Sequence, residues 1–147
     1  MSALQKIQHA IADRIAEDEL LNTTNILAHD ESSIHTRFSE SSSLYSGLSI
    51  LVMPPIPYRN GTPLIFEGLC VKVHVLENRY SNTTGLTSLA AAERICEHLH
   101  AFKLPGDSFK DTQLTLAENN PWKVIKDTRH TNCNLLEITF NTTDVPY

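Results

Sequence analysis

The 147-residue sequence has little of what reactive chemistry draws on. It holds five glycines, none in a G-x-G-x-x-G or G-x-x-x-x-G-K-[ST] pattern, so it lacks the backbone loops that cradle phosphates. Its three cysteines, Cys70, Cys96 and Cys133, are odd in number and have no C-x-x-C spacing, which argues against a disulfide framework and a structural zinc site. Positive charge is scarce. Twelve Lys and Arg stand against 17 Asp and Glu, for a net charge of −5 and no basic cluster. That balance disfavours nucleic acid as the main partner, because displacing counterions from phosphates needs clustered Lys and Arg. The longest apolar run, Ile50-Leu51-Val52-Met53, stops at Pro54-Pro55, far short of the ~18 residues that cross a bilayer. Asp13, Glu17 and Asp18 interrupt the first apolar pattern, so no signal-peptide core is expected and the expected compartment is the cytosol.

What is present is enough for one core: 41% of residues are hydrophobic and 20% charged. The expectation is a single domain over 1–147 with exposed loops near 39–47 and 54–63. Leu4, Ile7, Ile11 and Ile15 form one stripe of a 3.6-residue period, with Ser2 and Gln5 spaced as a capping box. A short strand is expected over Ser33–Phe38, followed by the polar loop Ser39–Ser43. Leu48–Met53 reads as a strand, and Asn60-Gly61 as a turn towards the clearest strand, 68–77. There Leu69, Val71, Val73 and Val75 share one face, with Lys72 and His74 on a wetter one. A second helix, capped by Thr87 or Ser88, carries Leu89, Ala92, Ile95, Cys96, Leu99 and Phe102 on its apolar stripe. Glu93, Arg94, Glu97 and His98 lie opposite, and Pro105-Gly106 follows the helix end. Strand runs at 113–116, 122–126 and 135–140 complete the pattern, the last two as a hairpin. The fold class is α+β: two amphipathic helices packed on one face of a mainly antiparallel sheet.

Candidate chemistry is thin. Cys96 and His100 project to one side of the second helix, but no further ligand approaches them in the sequence, so no metal is expected. His130 lies near Cys133 without a strained nucleophile turn. Asp30, Glu31, Asp107, Asp111 and Glu118 read as solvated loop charge. The N-x-[ST] triplets at Asn22, Asn60, Asn82 and Asn141 are chance matches in a Ser- and Thr-rich chain. No catalytic residue, cofactor or metal is expected. Tyr45, Tyr58 and Tyr80 stand in polar turns, the last two beside Arg59 and Arg79. Tyrosine and arginine are enriched in interface centres. The expected interface residues are therefore Tyr58, Arg59, Arg79 and Tyr80, with Asn78 positioning the loop.

The stretch from Phe66 through Glu77-Asn78-Arg79, a polar loop, and the Ala-rich helix Leu89–His100 resembles tail terminator proteins of long-tailed bacteriophages and prophages. Roughly forty residues carry the likeness, as a pattern rather than a signature motif. The N-terminal helix and the C-terminal strand pair also fall where that family has theirs. The Ser-rich segment 39–43 and Pro-rich segment 54–63 depart from a compact version of it. The resemblance implies a non-enzymatic α+β subunit that forms a homo-oligomeric ring, usually a hexamer, at the head-proximal end of the tail tube. Such a ring ends tube polymerisation and gives the head connector its docking surface, with DNA as passing cargo and no membrane partner. It implies location in the virion neck, assembled in the host bacterial cytoplasm. The alternatives are another connector-binding neck subunit, a small cytosolic enzyme using Cys133 or His100, and a monomeric ligand-binding α+β module.

Overall fold

A computed structural model describes residues 2–28, 47–58, 68–105, 112–117, 121–125 and 133–142. Helix α1 spans Ala3–Ala16 and buries Ile7, Ile11 and Ile15; Ser2 and Gln5 close the capping box by reciprocal bonds. A 3₁₀ turn, Leu21–Thr23, leads into β1, Asn25–Ala28. Strands β2 (Leu48–Val52), β3 (Ile56–Tyr58) and β4 (Gly68–Asn78) follow. Helix α2, Ser88–Leu99, has Thr87 as its N-cap, the hydroxyl accepting from the Ala90 N–H. Strands β5 (Thr115–Leu116), β6 (Trp122–Ile125) and β7 (Cys133–Asn141) end the order.

The strands form one mixed sheet in the order β1-β2-β4-β7-β5, with β3 also on β4 and β6 also on β7. All pairings are antiparallel except β1 with β2. The α+β architecture read from the sequence is the one observed. The central pair β4–β7 runs in register from Cys70↔Asn141 to Asn78↔Cys133. Alternation along it puts Leu69, Val71, Val73, Val75, Leu136, Ile138 and Phe140 on one face, where the isoleucines of α1 and Ala91, Ala92, Ile95 and Leu99 of α2 cover them. A smaller apolar cluster, Leu51, Leu76, Cys133 and Leu135, lies on the other face.

Four expectations are corrected. Leu89 is 55% exposed and Cys96 only half-buried; the buried stripe of α2 is Ser88, Ala91, Ala92, Ile95 and Leu99, which keeps Ala92, Ile95 and Leu99 of the expected stripe and turns it by roughly 35°, a fraction of one residue's rotation. The wet face of β4 is drier than its polar residues imply, for His74 is buried. The proline-rich run contains a strand, β3, in which Pro57 opposite Leu69 is tolerated because it lies on a strand with one neighbour. A strand at 25–28, absent from the sequence reading, pairs parallel with β2. The strand expected over 33–38, the Ser-rich loop, the Asn60-Gly61 turn and the five acidic loop residues lie outside the described residues.

Candidate functional site

The loop between β4 and α2 gathers most of the describable interface residues. β4 ends at Asn78, whose buried side chain accepts the Tyr80 N–H at 3.1 Å. The Asn78 carbonyl accepts from the N–H groups of Ser81 and Asn82, turning the chain immediately past the strand. Arg79 is exposed, and Tyr80 at the tip is 89% exposed. Tyr58 ends β3, at the other end of β4 beside Gly68, so the structure does not join it to the loop; its side chain and Arg59 lie outside the described residues.

Residues that sequence reasoning passed over hold the loop. The Glu77 carboxylate, buried one residue before the end of β4, accepts from Asn82 Nδ2 at 2.7 Å and from the Ser88 N–H at 3.1 Å. One side chain thereby fixes both the loop and the first turn of α2. Gly47, at φ +94°, passes directly behind: a Cβ there would stand 2.4 Å from the Asn82 nitrogen. No signal in a single sequence marks these polar loop residues, because their partners meet only once β4 and α2 are packed.

Two titratable clusters lie elsewhere. On the sheet face away from the helices, Glu137 accepts from His74 Nε2 at 2.8 Å and stands 3.4 Å from Lys72 Nζ. Burial opposes ionisation of Glu137, but the bonds from His74 and the Lys72 charge outweigh it and hold the carboxyl below its ordinary range. Cys70 lies two residues before Lys72 on this face, its thiol pushed up by burial and so protonated near neutrality. Between the helices, buried Asp18 accepts from Arg94 Nε at 3.0 Å, His98 Nε2 at 2.7 Å and the N–H groups of Leu20 and Leu21. These bonds overcome desolvation and drive the Asp18 carboxyl well below the usual range. In both clusters the carboxylate sits in the middle, with a Lys or Arg and a His ring nitrogen against it.

The enzyme alternative gains nothing from placement. Cys133 belongs to the apolar cluster on the helix-free face, whereas His100 caps α2 on the opposite face, so the sheet separates them. Cys96 is half-buried and its thiol is pushed up to about 11, by burial first and by Glu93 and Glu97 next. His130 lies outside the described residues, and among those described no three His, Cys, Asp or Glu side chains converge as metal ligands. No described helix is long and apolar enough to cross a membrane. No protein-family model matches this chain, and no curated protein matches it.

Proposed function

We propose that this chain is a structural subunit of a phage virion, closing with copies of itself into a ring at the head-proximal end of a tail tube. The ring ends tube polymerisation and presents the surface on which the head connector docks. The observation that carries this reading is Tyr80, 89% exposed on a tightly bonded loop inside the strand–loop–helix segment that bears the resemblance. A ring requires a heterologous contact, one patch of each copy fitting a different patch of the next. A projecting Arg-Tyr tip suits such a joint, since rigid aromatic side chains bury area at low entropic cost.

Sedimentation and negative-stain imaging of the purified chain test the reading. The expected result is a closed assembly several times the 16.5 kDa subunit mass, which stops growth of its cognate tail-tube protein when added to it. Replacing both Arg79 and Tyr80 by Ala is expected to weaken assembly and leave the melting temperature unchanged, because exposed loop side chains contribute little to fold stability. A chain that stays monomeric at high concentration and in the presence of tube protein overturns the proposal.

A further inference from the structure

Asn82 uses its whole hydrogen-bonding capacity inside the loop. Its Nδ2 donates to Glu77 Oε2 at 2.7 Å and to the Leu86 carbonyl at 2.6 Å. Its Oδ1 accepts the Thr84 N–H at 3.0 Å and the Thr84 hydroxyl at 2.6 Å. An amide with both donor and both acceptor positions satisfied is locked in one orientation. The Asn82 backbone is tied in as well, its N–H donating to the Asn78 carbonyl at 2.9 Å. The chain on either side of Tyr80 is thereby fixed while the ring itself stands in water.

We propose that Asn82 is a positioning residue that pre-forms the Arg79–Tyr80 tip for docking onto a second copy of this chain. The inference rests on the ring reading above and adds what makes the joint efficient. A loop ordered before contact loses little conformational freedom on binding, so its affinity is set partly by residues that never touch the partner. The occupant follows from charge. The chain carries −5 overall, with Asp13, Glu93 and Glu97 exposed on the outer sides of the helices, so a second copy offers a surface complementary to an arginine-flanked tyrosine.

Sedimentation velocity on the full chain, with amide hydrogen exchange measured in parallel, tests this for wild type, Asn82→Ala, Tyr80→Ala and the double variant. Asn82→Ala is expected to speed exchange at the Tyr80 and Thr84 amides and to weaken self-association about tenfold, the order of effect of re-ordering one or two residues on docking. In the Tyr80→Ala background the same substitution is expected to add no further loss, since it acts through Tyr80. Thr84→Ala, which removes one bond to Asn82, carries the same two expectations if Asn82→Ala fails to fold. Unchanged association alongside faster loop exchange, or additive losses in the double variant, overturns the inference and leaves the ring intact. A monomeric wild type overturns the ring itself, and the inference with it, before any variant is made.

Discussion

Asp18 looks like one more solvated charge on an acidic helix end, yet it is the most heavily bonded carboxylate described. Its burial follows from what comes after it: α1 ends, the chain turns, and the free N–H groups of Leu20 and Leu21 are met by the Asp18 side chain. Arg94, expected on the solvated side of α2, supplies the countercharge, and His98 beside it adds a hydrogen bond. Asp18→Asn should lower stability by about 2–3 kcal/mol, less than for a fully buried pair because the Arg94 side chain is more than a third exposed. The pH dependence has a definite sign. Asp18 and Glu137 both titrate lower folded than unfolded, so as the medium acidifies the unfolded chain takes up protons first. Their contribution is complete above the ordinary carboxylate range and should disappear progressively below about pH 4. Thermal melts from neutral to acid pH should show this loss, with a shallower acid limb in Asp18→Asn.

Among the elements, those with a clean period were legible. α1, α2 and β4 announce themselves through spacings of three to four or of two, because each packs one face against a core. β1 and β3 did not, for different reasons. All four β1 residues are half-buried, so the strand has no alternation to read, and β3 is three residues long around a proline. In the candidate site Tyr80 was legible as an aromatic in a polar turn, whereas Glu77 and Asn82 acquire meaning only through Ser88 and Leu86, which the fold brings to them. The end of α2 holds a further detail: Ala101, just past the cap, has φ +66°, a left-handed conformation that glycine adopts without the steric cost of a Cβ. Ala101→Gly is expected to raise stability by about 0.5–1 kcal/mol, readable as a higher melting temperature.

For the molecule as a whole, the acidic balance that first argued against nucleic acid gains a second role in the proposed ring. If Arg79 of one copy meets the acidic surface of the next, raising the salt concentration should weaken assembly several-fold, and Arg79→Ala should remove most of that sensitivity. Sedimentation across a salt series measures both. The sheet order also sets a timetable for the newly made chain. The central pair joins β4 to β7, so the isoleucine stripe of α1, synthesised first, has no complete surface to cover until the last described strand has left the ribosome. Most of the chain is therefore made while its earliest helix is uncovered, and pairing of β7 with β4 is the event that completes the surface this helix covers.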